Sequence, residues 1–304
     1  MSYVDTLAMA VAGEALGFES ALLAEHYSPS GLPNLYPAGP GAVMAADAWI
    51  YLAAIARETH TIHLGTLVSP VTFRHPVVLA KMAATLDHVS NGRAELGIGA
   101  GWLESEHQAF GFDLPAPARR VDLVEEQLQI ITGLWREASF SHSGRVYRLQ
   151  EAQFTPKPVQ QPRPTVIVGG RITSQRLPRL AARYADEFVV GYPTAETARI
   201  VRQRLNAACR AAGRDPAEVR LSAFLPVCVA ETQPEVERRL ASYRATNPQY
   251  VRMMDDLPTW LMGTPPQVRQ QAQQLEAAGI DRLMVAVNDK VHREMLPLVA
   301  DALN

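Results

Sequence analysis

Apolar positions at helical spacing alternate with short apolar runs along most of the chain. Leu7, Val11 and Leu16 share a helical face between Tyr3 and Leu16, Gly17 stops that helix, and FESALLAEHY follows, apolar first and polar at its end. The round repeats. DAWIYLAAIARET reads as a helix before the strand IHLGTLVSP, PVVLAKMAATLDHVS as a helix before the strand RAELGIGAG, and a further helix covers about residues 119–136.

Residues 137–163 break the rhythm, with a hairpin expected around Ser143 and Gly144 and an extended proline-rich approach in TPKPVQQPRP. Alternation then resumes: TVIVGG, DEFVVGY, RLSAFLPVCVAE and RLMVAV are strands separated by amphipathic helices, one starting near Pro234, and a closing helix begins at His292. Apolar strands alternating with such helices predict a parallel sheet covered by helices. Seven strands can be counted, one fewer than the eight of a (β/α)₈ barrel, and the chain opens directly on a helix, so the strand apparently missing is the first. No fixed-period repeat or low-complexity tract divides residues 1–304, which are read as a single domain.

Composition narrows the function classes. With 29 Lys and Arg against 31 Asp and Glu, the net charge of −2 gives no electrostatic drive toward nucleic acid or an anionic membrane. The two cysteines, Cys209 and Cys228, lack metal-site or disulfide spacing, and no run is long enough to span a bilayer, so a cytoplasmic protein acting on a small ligand is expected.

The candidate chemistry sits where strands end. ELGIGAGWLESEH carries Gly97, Gly99 and Gly101 in a G-x-G-x-G ladder, which is not the G-x-G-x-x-G of a dinucleotide loop, and no strand-end acid follows about 20 residues on. At the C-terminal rim of a barrel strand, Gly99 and Gly101 would let a flat ring or a phosphate approach the backbone; alternatively they only turn a tight corner. His26, with Glu25 beside it, ends another strand, and Gly169–Gly170 lies ahead of a helix, a pairing that suits an anion. Trp102 is either a packing anchor or a pocket wall. His60 and His63 fall at the start of a strand, on the stability face, His88 and His107 receive no role, and Arg119–Arg120 reads as a solvated helix start.

The ordered stretches GFESALLAEHY, the segment from IHLGTLVSPVTFRHP through GAGWLESEHQAFGFDLP, GRVYRL, PKPVQQPRPTVIVGG, AARYADEF and GTPPQV together resemble the bacterial luciferase-like flavin and deazaflavin oxidoreductases, most closely the group dependent on coenzyme F420. The resemblance implies a TIM barrel with an insertion after the fourth helix and an isoalloxazine or deazaflavin ring across its C-terminal mouth. It also implies a non-prolyl cis peptide at Leu67–Val68 backing the ring, cofactor phosphate contacts from Ala100, Gly101, Gly169 and Gly170, and proton transfer by His26. A homodimer is common in the family.

Departures from the family pattern bear on the reaction. Dehydrogenase members carry Trp four residues beyond the histidine and Glu directly after the ladder, where this chain has Ser30 and Trp102; luciferases place an Arg for the FMN phosphate where it has Ala100; and Glu187 stands where a small residue is usual. The expected function is hydride transfer between reduced F420 and a small organic substrate. The alternatives are a two-component FMN-dependent monooxygenase fed by a flavin reductase, and a non-catalytic flavin-binding paralogue whose cofactor floor is left open by the missing strand.

Overall fold

The computed structural model describes residues 2–27, 46–246, 259–286 and 290–303. Ser2 caps the first helix, α1 (Tyr3–Ala15), by accepting from the Asp5 N–H, and Gly17 at φ +80° turns the chain into β1 (Ser20–Leu23). Asp47 accepts from the N–H groups of Trp49 and Ile50 to start α2 (Ala48–Glu58), which leads to β2 (His63–Thr66) and the two-residue β3 (Ser69–Pro70). Then come α3 (Pro76–Val89), β4 (Ala94–Gly99), α4 (Glu104–Phe110), α5 (Pro117–Arg136), β5 (Phe140–Ser143), β6 (Arg148–Ala152) and β7 (Thr165–Gly170). The second half runs α6 (Leu177–Tyr184), β8 (Glu187–Gly191), α7 (Ala195–Ala211), β9 (Arg220–Val229), α8 (Gln233–Thr246), β10 (Leu261–Gly263), α9 (Pro265–Glu276), β11 (Arg282–Ala286) and α10 (Lys290–Leu303).

Strands β1, β2, β4, β7, β8, β9 and β11 pair in that order, all parallel, as a curled wall with helices outside. Alternate residues face opposite ways. Ala21, Leu23, Leu283 and Val285 pack into the large core against the helices, whereas Leu22, Leu67, Val68, Ile167, Val189, Phe224 and Met284 meet inside the wall. This is a (β/α)₈ TIM-barrel-like arrangement with seven of its strands present among the described residues. Among the described residues β1 pairs only with β2, and β11 only with β9.

The N-terminal end of the barrel is closed by charge. Glu187 is fully buried, accepts from the Ser222 hydroxyl, and lies 3.0 Å from Arg282 and 2.9 Å from Arg220; Arg282 also reaches Glu95 at 3.4 Å and Ser20. Burial pushes the Glu187 carboxyl up from its ordinary value, against the pull of Arg282, the Ser222 hydroxyl and Arg220, and the same acids raise Arg282. The unusual Glu187 is thus a floor residue, far along the strand from the mouth.

The insertion contains the expected hairpin: β5 and β6 are antiparallel, Gly144 N–H donates to Tyr147 C=O at 3.0 Å, and Glu126 of α5 accepts from the Tyr147 N–H at 2.8 Å. The proline-rich approach holds two cis prolyl bonds, Thr155–Pro156 and Gln161–Pro162, and Asp87 accepts there from the N–H groups of Val159 and Gln160 at 2.6 and 2.9 Å. Periodicity overlooked β10 and α4, which are too short to establish a period, and the one strand expected over IHLGTLVSP is split into β2 and β3. The closing helix starts at Lys290, two residues before the expected His292. Among the described residues no helix is long and apolar enough to cross a membrane.

Candidate functional site

The C-terminal ends of the strands gather the residues singled out from sequence. His26 follows β1, Leu67–Val68 follows β2, Gly99 to Trp102 follows β4, and Gly169–Gly170 ends β7. Two loops, at about residues 27–46 and 243–262, are expected from the sequence to set the pocket; most of both, Ser30 included, lies outside the described residues.

His26 is held by a residue that the sequence reading overlooked. Its Nδ1 lies 3.0 Å from Oε2 of Glu106 on α4, whose other oxygen accepts the Tyr27 N–H. Glu106 is only 1% exposed, whereas the His26 side chain is 28% exposed. An ionised carboxylate can only accept, so this contact favours the tautomer with the proton on Nδ1 and leaves Nε2 as an acceptor. Tyr27 is anchored in turn against Phe73 and Phe112, with ring centroids 4.9 and 5.4 Å away, and burial raises its phenol pKa, aided by Asp47 and Glu106. Short α4 is therefore the element that orients the candidate catalytic histidine, and only its i+4 neighbours, not an apolar period, would have flagged it.

Trp102 is 51% exposed and stands edge-on to His26, with centroids 6.2 Å apart. A packing anchor would be buried, which this indole is not.

The Leu67–Val68 peptide is cis, as the resemblance implied. It shows where the space left by the glycines goes. A Cβ on Gly99 would lie 2.5 Å from Val68 Cγ2, one on Gly169 2.9 Å from Val68 Cγ1, and one on Gly97 1.9 Å from the Thr66 carbonyl oxygen. The ladder is therefore filled from within the protein: Gly99 and Gly169 seat Val68, and Gly97 lets β2 and β4 approach. At the Cβ position of Gly99 the volume is taken by the Val68 side chain. Gly101 has a different reason, a φ of +73° that turns the chain between Ala100 and Trp102. Gly170 similarly makes room for Phe188 and Leu177, whose atoms would lie 2.8 to 3.0 Å from an added Cβ.

Glu25 turns away from the opening. It is buried, paired with Arg74, and accepts from Ser69 Oγ at 2.5 Å and Trp49 Nε1 at 3.3 Å, while Arg74 also meets Asp47 at 3.2 Å. Burial lowers the Arg74 pKa. This cluster fixes β3, and so the Leu67–Val68 bulge, to the start of α2. His107 is structural: its Nδ1 lies 2.7 Å from Leu103 C=O and its Nε2 2.7 Å from Thr72 Oγ1. His63 starts β2 at the floor, 3.9 Å from Glu95, and His88 bonds the Lys157 carbonyl.

Directly after Gly170, Arg171 is exposed and enters no ion pair among the described residues. Arg119 is engaged with Asp122 at 3.6 Å and Arg120 with the Pro115 carbonyl, so neither points to a ligand. Among the described residues no three His, Cys, Asp or Glu side chains are arranged to hold a metal ion.

Similarity to known proteins follows the same residues. The family model of luciferase-like monooxygenases matches residues 1–282. An uncharacterized protein of Mycobacterium tuberculosis (strain ATCC 25618 / H37Rv) is 34% identical over 143 residues, 47% of this chain and 49% of that protein, so the chain matches about half the length of that relative. An FMNH(2)-dependent dimethylsulfone monooxygenase of Pseudomonas putida is 26% identical over 261 residues, 74% of this chain and 71% of that one. Among solved structures, an F420-dependent secondary alcohol dehydrogenase in complex with an F420–acetone adduct superposes with a TM-score of 0.83 at 18% identity, covering 100% of this chain and 94% of its own, a likeness of fold. The chain belongs to the luciferase-like monooxygenase family.

Proposed function

We propose that the protein is a flavin- or deazaflavin-dependent oxidoreductase, and that its cofactor is F420, exchanging a hydride with a small organic substrate at the barrel mouth. The observation that carries this reading is the His26–Glu106 pair, 3.0 Å apart, opening onto a site walled by exposed Trp102 and backed by the Leu67–Val68 bulge. A flat tricyclic ring fits such a cradle. It has an apolar floor in Leu67 and Val68, an indole wall, and one polar group of defined tautomer.

In this assignment Leu67 and Val68 support the ring, and the turn Gly99–Ala100–Gly101–Trp102 edges it. Gly169, Gly170 and Arg171 hold the phosphate arm, with Arg171 providing the charge. When bound, the cofactor supplies the hydride chemistry. His26 supplies the proton: its Nε2 takes a proton from, or returns it to, the substrate oxygen, and Glu106 stabilises the imidazolium that forms. Trp102 shields the reacting face from water on its side. The dehydrogenase-style acid after the ladder is Trp102 in this chain, so His26 is the only candidate proton donor among the described residues of the rim.

A second reading, the two-component FMN monooxygenase, is favoured by the similarity to the dimethylsulfone enzyme and would require a flavin reductase as partner. The absence of an Arg at Ala100 argues against an FMN phosphate held in the luciferase manner. The remaining parts of the proposal are a homodimer and a cytoplasmic location. Val4, Ile50 and Val78, exposed on α1, α2 and α3, support the association with a second copy.

Incubating the protein with chemically reduced F420 or FMN and a panel of small ketones and aldehydes separates the readings. The expected result is reoxidation of the deazaflavin that depends on a carbonyl compound and proceeds equally without oxygen. Turnover confined to reduced FMN, with oxygen consumed in proportion, would establish the monooxygenase instead.

A further inference from the structure

One glycine of the rim is not filled from within the protein. Along β8, Glu187 joins the charged floor and Val189 packs inside the wall with Phe224, so the two-residue period of the strand carries Gly191 to the same inner face at the mouth. A Cβ on Gly191 would meet no described atom within 4 Å beyond its chain neighbours, whereas one on Gly97, Gly99, Gly169 or Gly170 would lie 2.9 Å or less from a neighbour. Among the described residues, the barrel interior is therefore open at the end of β8.

Tyr192 borders that space. Its N–H donates to the Phe224 carbonyl at 2.9 Å, and its ring packs on the Phe224 ring, with centroids 5.7 Å apart. Its backbone is left-handed, at φ +56°, directly before Pro193, a position where a residue bearing a Cβ is pressed toward extended backbone. Gly191 next to it would take a positive φ without steric cost, yet the turn falls on the tyrosine. Strain of this kind persists where surrounding contacts hold a side chain in place, and the contact here is Phe224, packed in the interior cluster with Leu67 and Val68. The phenol is partly buried, burial raises its pKa, and its hydroxyl enters no hydrogen bond among the described residues. At neutral pH it offers a hydrogen bond without ionising.

The place of Tyr192 on the wall says which end of a ligand it meets. From β1, which leads to His26, β8 is reached after β2, β4 and β7, four steps along the wall and half the circuit of an eight-stranded barrel. His26 and Tyr192 thus stand on opposite sides of the mouth. We propose that Tyr192 is a substrate-binding residue, and that the substrate is a small carbonyl compound, or the alcohol it forms, carrying a second oxygen on the end remote from the reacting carbon. This rests on the proposed function. With the reacting oxygen at His26, the remote oxygen accepts from the Tyr192 hydroxyl, and the carbon chain between them fills the space beside Gly191 over Val189 and Phe224. A purely hydrocarbon tail would leave the phenol hydroxyl unpaired on its buried side, so the site discriminates against substrates that lack the second oxygen.

The test is made by binding, on the full chain saturated with oxidised F420. The probes are linear methyl ketones from butanone to octanone, each paired with the same ketone bearing a terminal hydroxyl, and affinities are read by calorimetry. For at least one chain length the hydroxyketone should bind about fivefold tighter or more, the value of one neutral hydrogen bond, and Tyr192→Phe should bring that pair within about twofold while F420 affinity is kept. A fluorotyrosine in place of Tyr192 should show a fluorine resonance that moves with that hydroxyketone more than with its partner ketone. Three results would overturn the proposal: no discrimination at any length, discrimination that survives in Tyr192→Phe, or loss of F420 affinity in that variant, which would make the phenol a cofactor contact. F420 binding without discrimination removes this inference alone, whereas a wild type that binds no F420 removes the proposed function and this inference with it.

Discussion

At the scale of single residues, the account depends on His26 having one available nitrogen. Replacing His26 by Gln should lower turnover by about 10²- to 10⁴-fold, the usual contribution of a positioned acid or base, with little change in melting temperature because the side chain is partly exposed. Glu106→Gln probes the orienting carboxylate. Losing its negative charge removes the partner that orients the imidazole, so the rate should fall by roughly 10- to 100-fold. A Glu106 that only filled space would alter stability and leave the rate in place.

At the scale of elements, the glycines of β4 and β7 act through Val68. Gly99→Ala puts a methyl group 2.5 Å from Val68 Cγ2 and should cost about 1–3 kcal/mol in denaturant unfolding. Combining it with Val68→Ala should cost less than the two single changes together, since the second substitution vacates the contested volume; strict additivity would contradict this packing. The glycine ladder was legible in the sequence as a strand-end feature, and so were His26 and Trp102. Val68 as the occupant of its space was not, because that contact joins residues about 30 positions apart through a two-residue strand without a period of its own. Glu106 was hidden for the same reason, on a helix of two turns.

The joint between α1 and β2 carries a titration that can be checked. Burial alone would raise the Glu14 carboxyl, but N–H bonds from Thr61, Ile62 and His60 and the Thr61 hydroxyl outweigh it and bring the pKa down to about 2. A carboxylate depressed on folding stabilises the protein above its unfolded pKa near 4.5 and loses that contribution as pH falls toward 2. After allowance for solvent screening, Glu14→Gln should cost roughly 1–2 kcal/mol at pH 7, and the gap between variant and wild type should narrow below pH 4.5 in urea titrations. A gap independent of pH would contradict the assignment.

At the scale of the whole molecule, the strand count of seven, the parallel order and the hairpin insertion could all be read from apolar periodicity, because each long element buries one continuous face. The charged floor could not. Glu95, Glu187, Arg220 and Arg282 come from four different strands and Glu19 from the approach to a fifth, and nothing in local sequence says that they converge. Glu187 reads from sequence only as a departure from the small residue usual there; in the structure it is the buried centre of this network. Arg282→Met should leave Glu187 buried beside Glu95 with less compensation and destabilise the fold by about 3–5 kcal/mol, without affecting a cofactor bound at the opposite end of the strands.

The central claim is that a deazaflavin or flavin ring lies at the mouth between Trp102, His26 and the Leu67–Val68 bulge. Equilibrium titration of wild type and Trp102→Ala with F420 and FMN tests it most directly, with thermal unfolding measured alongside. The account predicts one cofactor per chain, F420 tighter than FMN, affinity at least tenfold weaker in the variant, and a melting temperature shifted by no more than about 2 °C, as expected for a side chain already 51% exposed. Binding of neither cofactor, or unchanged affinity accompanied by a large loss of stability, would contradict it.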